Sequence, residues 1–192
     1  CLGCKQGASK PGAETTSERP LRVMQSAVRR GQWQQAWAVA DAVLAKHPDD
    51  ADVITEVAGV AYENGKHEIA AELLQDACRA EAFQDATRVE QTMVALIGVG
   101  RLFDGIELLE QALLQQPQQH ETRRWLFDLH NETGNRIAGV AHGRFLVHQR
   151  KFDIELLLAL GRTGQHIVNT EPLERIVEAN PSDKRPLLMS AS

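Results

Sequence analysis

The sequence predicts an all-α fold of about five antiparallel helix hairpins, on three observations. A glycine-led hexapeptide recurs along the chain: "GQWQQA" from Gly31, "GKHEIA" from Gly65, "GRLFDG" from Gly100, "GNRIAG" from Gly134 and "GQHIVN" from Gly164. Its glycines are 34, 35, 34 and 30 residues apart, the period of a helix-hairpin array. Apolar residues on both sides of each glycine follow helical spacing, and nothing reads as strand. Aromatics are 5% of the chain and no Pro-Gly cluster recurs on a short period.

Each hairpin is justified by local physics. Before the glycine stands a stretch such as "DVITEVAGVAYEN", whose Val53, Val57, Val60 and Ala61 fall on one helical face. The glycine supplies the backbone freedom that ends this helix. A second helix follows, such as "FDGIELLEQALLQQ", with Ile106, Leu109, Ala112 and Leu113 along one side. Pro48, Pro117 and Pro181, each 12 residues past its hexapeptide, stop the second helix; Ala82 and Lys151 hold the same place in the second and fourth units. A single hairpin cannot bury its apolar face alone, so neighbours must stack.

This pattern resembles the tetratricopeptide repeat (TPR): about 34 residues, two antiparallel helices, and small residues where they touch. The small positions are Ala36, Ala70, Gly105 and Gly139, with Ala40 and Gly143 one turn later. Trp33 and Leu102 match the family's apolar position that packs across the hairpin, while His67 and Arg136 stand there less typically. The resemblance covers residues 20 to 183 and implies a right-handed α-solenoid. In domain terms, 1–20 is an anchor-like end and tether, 21–183 the repeat domain, and 184–192 the start of a truncated repeat or a tail. In the fourth unit "GVAHG" makes the second helix glycine-rich, which signals a close helix contact or a weak point. The fifth unit is short and places Pro172 in the first turn of its second helix, with Asn169 or Thr170 as the cap. The ending "SDKRPLLMSAS" reads as a further unit cut short, so a fragment of a longer chain is expected.

Chemistry is scarce. With 21 basic and 26 acidic residues the net charge is −5, against a nucleic-acid binder. The longest apolar run, "IELLLALG", is far below the roughly 20 residues of a membrane span. "GVAYENGK" has five residues between its glycines, and His67 stands where a phosphate loop needs Ser or Thr. "GVGRLFDG" lacks dinucleotide spacing. His142 and His148 are six apart on one helix, on opposed faces, and no metal-ligand spacing occurs. Cys78 reads as a buried thiol. No nucleophile-base set is visible. The expectation is a chain that is not an enzyme and carries no cofactor or metal.

Binding remains. The resemblance implies that the first helices of successive hairpins line a groove for an extended peptide or a partner's helix. Its groove-facing places fall on Thr55, Tyr62 and Glu63, on Glu90, Val94 and Ile97, and on Arg124, Asp128 and Asn131. Packing against a neighbouring helix is the other reading of Val94 and Ile97, and a surface ion pair that of Arg124 with Asp128. The family's lysine-asparagine clamp for a C-terminal carboxylate is not visible: Leu21, Thr55 and Arg124 hold comparable places.

The opening "CLGCKQGASKPGAETTSERP" has no large apolar side chain from residue 5 to 20 and reads as a tether. No thioredoxin-like unit follows the cysteine pair, Lys5 replaces the histidine of a haem attachment site, and two thiolates do not complete a zinc site. "LGC" at Leu2–Cys4 resembles the end of a bacterial lipoprotein signal, although the usual apolar position, three before Cys4, carries Cys1. The resemblance implies lipid on Cys4 and an exported, envelope-bound location, lipid-anchored or periplasmic, with the cytoplasm as alternative. The expected function is a non-catalytic scaffold or adaptor for a protein or peptide partner, touching membrane only through the anchor. The alternative is an accessory region of a larger exported enzyme or receptor.

Overall fold

The computed structural model describes residues 19–162, and among these every regular element is helical. Two compact units divide the chain between Leu73 and Leu74.

The first unit contains α1 (Arg19–Arg29), α2 (Trp33–Trp37), α3 (Ala40–Leu44) and α4 (Ala51–Glu63), and α5 (His67–Ala80) begins in it. Met24, Ala27, Ala36, Ala40, Val43, Val53, Val57 and Val60 form its buried core. Ala36 and Ala40 are fully buried where α2 and α3 meet the first helices, as small residues at a helix contact should be. One expectation is corrected: the helix after Gly31 is broken into two. Val39 takes φ −111° and ψ 2°, and its N–H bonds to Ala36 O three residues back, which tightens the chain between α2 and α3.

The second unit holds the rest of α5, then α6 (Ala86–Gly98), α7 (Leu102–Gln115), α8 (His120–Glu132), α9 (Arg136–His148) and α10 (Ile154–Arg162). Each of α6 to α9 packs on its successor. Phe127, Val140, Leu146, Leu156 and Leu160 form one buried cluster there. The second helix expected after Gly164, Pro172 with its caps, and the 184–192 segment lie outside the described residues.

The first helices end as expected. Gly31, Gly65, Gly100 and Gly134 all have positive φ, between 66° and 79°. At Gly65 the Lys66 N–H reaches back to Ala61 O (3.0 Å) and the Gly65 N–H to Tyr62 O (2.9 Å), the paired closure that glycine permits. The second helices show what replaces proline. Where proline is missing, Ala82 (φ 52°) itself and Arg150 (φ 57°), just before Lys151, adopt the same left-handed conformation. Phe83 N–H then donates to Cys78 O, and Lys151 N–H to Leu146 O, each at 2.8 Å. A proline at 151 has no N–H to give.

Gly139 and Gly143 serve close contact. A Cβ on Gly139 would lie 3.2 Å from His130 Cβ; one on Gly143 would lie 2.8 Å from Leu160 Cδ2 and 2.9 Å from two Phe127 ring carbons. Gly105 is different, since its Cβ would meet only Met93 Cγ at 3.9 Å.

Candidate functional site

Aspartates start α4 and α6, whereas α8 starts at Gln119 without a side-chain cap. Asp50 accepts from Val53 N–H at 3.1 Å to cap α4, and Asp85 accepts from Thr87 and Arg88 N–H to cap α6. These caps fix the phase in which α4 and α6 present their side chains.

On α4, Tyr62 is 57% exposed and meets the His67 ring edge-on at 4.7 Å. Thr55 turns its hydroxyl back to Ala51 O (2.7 Å), and Glu63 is exposed. On α6, Glu90, Val94 and Ile97 follow i, i+4, i+7 spacing and all face solvent, Val94 at 53% and Ile97 at 36%. Neither apolar side chain is buried against a neighbouring helix among the described residues.

On α8, Arg124, Asp128 and Asn131 also share one face. Arg124 Nε donates to Asp128 at 2.9 Å, the ion pair read from the spacing, and its Nη1 donates to Asp153 at 2.9 Å. Burial works against the Arg124 charge, but the bonds to Asp128 and Asp153 outweigh it and raise its pKa above the ordinary value. Burial likewise opposes the Asp153 charge, yet the Leu156 N–H and Arg124 hold that carboxyl below its usual range. Asn131 donates to Phe127 O at 2.9 Å, within its own helix. Arg124 is thus committed to two carboxylates, and the freely presented apolar surface of the second unit's first helices lies on α6.

Sequence reasoning missed three features. Asp153 is a partner 29 residues from Arg124, a pairing that no helical spacing signals. The α1–α2 turn and the end of α4 enclose a cleft lined by Gln32, Trp33, Gln34, Gln35, Glu63 and Asn64. Asn64 before Gly65 was its only signal: Asn64 Nδ2 donates to Trp33 O (2.9 Å) and Val60 O (2.8 Å).

The third is a histidine pair between α8 and α9. The rings of His130 and His142 lie nearly parallel with centroids 5.8 Å apart, and both Nδ1 atoms are buried without a hydrogen-bond partner. Burial first, then the charge of Arg123 and the neighbouring His130, push His142 down to about 4. Arg123 itself stacks over Phe145 at 3.9 Å, donates to Pro117 O, and is shifted down by burial. The unfolded ring titrates near 6.5, so below that pH the unfolded chain binds a proton that the native chain refuses. Stability should therefore fall as pH drops from 6.5 towards 4 and level off below, by about 1–2 kcal/mol because the ring is partly solvated. Urea midpoints across this range, compared between wild type and His142→Gln, test this. An identical pH slope in the variant would remove His142 from the account.

Among the described residues no group of three or more histidine, cysteine, aspartate or glutamate side chains is placed to hold a metal ion. No described helix is long and apolar enough to cross a membrane. Cys78 is fully buried 3.2 Å from the Thr92 hydroxyl, and burial pushes its thiol up to about 11, so it is a poor nucleophile at neutral pH.

The fold is an all-α one of TPR-like helical hairpins, the class expected of an α-solenoid, and solved structures establish it. A MamA protein matches with a TM-score of 0.55 at 14% identity, over 92% of each chain. YrrB, described as "a TPR protein with an unusual peptide-binding site", matches at 0.55 and 14% identity, over 90% of this chain and 91% of its own. MamA from Desulfovibrio magneticus RS-1 gives 0.54 and 13%, over 88% and 98%. No protein-family model and no curated protein matches the sequence.

Proposed function

We propose that this chain is a non-catalytic interaction scaffold that holds an extended peptide or a partner's helix against the exposed faces of its first helices. The carrying observation is that Tyr62, Val94 and Ile97 are large apolar side chains left in solvent at places where the TPR architecture presents ligand-facing residues. YrrB, a TPR protein with an unusual peptide-binding site, supports the same use of the fold. Glu90 shares the α6 face with Val94 and Ile97, Thr55 and Glu63 stand with Tyr62 on α4, and α8 adds Arg124, Asp128 and Asn131.

A random peptide library displayed on phage and selected on the immobilised chain tests this. Peptides selected on the α6 face should lose binding by more than about tenfold on Val94→Arg or Ile97→Arg, and those selected on the α4 face by about fivefold to tenfold on Tyr62→Ala, with helical circular dichroism unchanged. Equal binding to all three variants would refute the groove, and unfolding of Tyr62→Ala would show that its face is structural.

We further propose that Cys4, which lies outside the described residues, carries lipid and tethers the scaffold to a bacterial envelope. The support is the "LGC" resemblance and the polar stretch after it. Metabolic labelling of the full reading frame with radioactive palmitate should mark the protein, and Cys4→Ser should abolish the mark. Labelling that survives in Cys4→Ser would exclude this anchor.

A further inference from the structure

We propose that the cleft between the α1–α2 turn and the end of α4 is a subsite for an arginine side chain of the bound peptide. The inference rests on the peptide-binding reading above and adds the chemistry of one ligand residue. The cleft is open to solvent along one side and offers about 500 Å³, room for a side chain. Its unmet groups are acceptors. Among the described residues Glu63 forms no ion pair, and it is the only charged side chain lining the cleft. Gln32 also lines the cleft, and its Oε1 is buried beneath the surface without a donor. Both hydrogens of Asn64 Nδ2 are used on Trp33 O and Val60 O, which leaves Oδ1 as an acceptor.

The nearby cations do not answer this demand. Arg30 Nε donates to Ser26 O at 3.1 Å, and the Lys66 ammonium lies over the Trp37 ring at 5.4 Å. A guanidinium carries five donors and no acceptor, which suits a site of one carboxylate and the Asn64 amide oxygen. Trp33 adds an aromatic side chain of the kind on which arginine stacks. An anionic ligand finds the opposite of what it needs, because Glu63 repels it and the Asn64 donors are occupied.

The test titrates N-acetyl-arginine amide into the ¹⁵N-labelled chain while following the Trp33 indole N–H resonance, assigned with Trp33→Phe. Saturable shifts with a roughly millimolar dissociation constant are expected. N-acetyl-citrulline amide, the neutral isostere, should bind at least about fivefold more weakly, and Glu63→Gln should cost arginine a similar factor. Equal binding of citrulline, or full binding by Glu63→Gln, would overturn the proposal. Spermidine binding more tightly than the arginine amide would overturn it too, by marking a site for free polyamines. The titration does not involve α6 or α8, so it can fail while the Val94 and Ile97 groove stands, and the reverse.

Discussion

Arg88→Met should destabilise the chain by about 2–4 kcal/mol, the largest loss expected from one surface-derived charge. Arg88 is only 7% exposed, and its Nη1 donates to Glu81 Oε2 at 2.5 Å, with Asp85 Oδ2 4.0 Å from Nη2. The other Glu81 oxygen is buried and has no partner. Methionine fills the arginine's stem but leaves a partly buried carboxylate without its counter-charge, and this uncompensated charge is the dominant cost. The effect spreads because Glu81 begins the left-handed turn at Ala82 and Phe83, which Gln116 Nε2 braces by donating to Phe83 O (3.0 Å) and Gln84 O (3.1 Å). The double variant Arg88→Met/Glu81→Gln should recover more than half of the loss in urea unfolding. A single-variant loss below about 0.5 kcal/mol, as for an exposed pair, would show that the ion pair does not hold this turn.

Gly143→Ala should cost about 1–3 kcal/mol even though alanine is the better helix former by about 1 kcal/mol. The added methyl would stand 2.8–2.9 Å from Leu160 and Phe127. Leu160 can yield at the end of a flexible side chain. Phe127 is 1% exposed and its ring has little space to move. Gly105→Ala is the matched control: with Met93 at an ordinary contact distance, the same exchange should stabilise by about 0.5–1 kcal/mol. Thermal unfolding of both variants should therefore move in opposite directions. Stabilisation by both would mean that α9 does not depend on glycine to approach α8 and α10.

These two sites differ in how far the sequence exposes them. The glycine turns were legible because a helix end that needs positive φ selects a residue type, and that residue recurs on a period. The small positions at Ala36, Ala40 and Gly143 were legible for a related reason, since helix contact selects size. The break at Val39 was not, because a tightened i→i−3 turn inside an apolar helix changes no residue class. Ala82 and Arg150 were equally silent: neither favours the left-handed region, and only the missing proline hinted that the ending differs. Pairs across helices were the least visible. His130 with His142 depends on how one helix is rotated against another, and Arg88 with Glu81 on how the chain turns between α5 and α6; packing sets both, not spacing along a helix. For the candidate site, the faces of α4 and α6 were readable from register, while the second partner of Arg124 and the cleft beside Trp33 required the fold.

The most direct measurement is chemical-shift mapping of a library-selected peptide on the methyl- and ring-labelled chain. The described residues expose apolar side chains on second helices too, among them Phe103 at 74%, Leu114 at 78% and Ile137 at 89%. A first-helix groove predicts that a peptide bound to the second unit shifts Val94 and Ile97 and leaves Phe103, Leu114 and Ile137 unmoved. Shifts confined to Phe103, Leu114 and Ile137 would contradict it and place binding on the second helices instead.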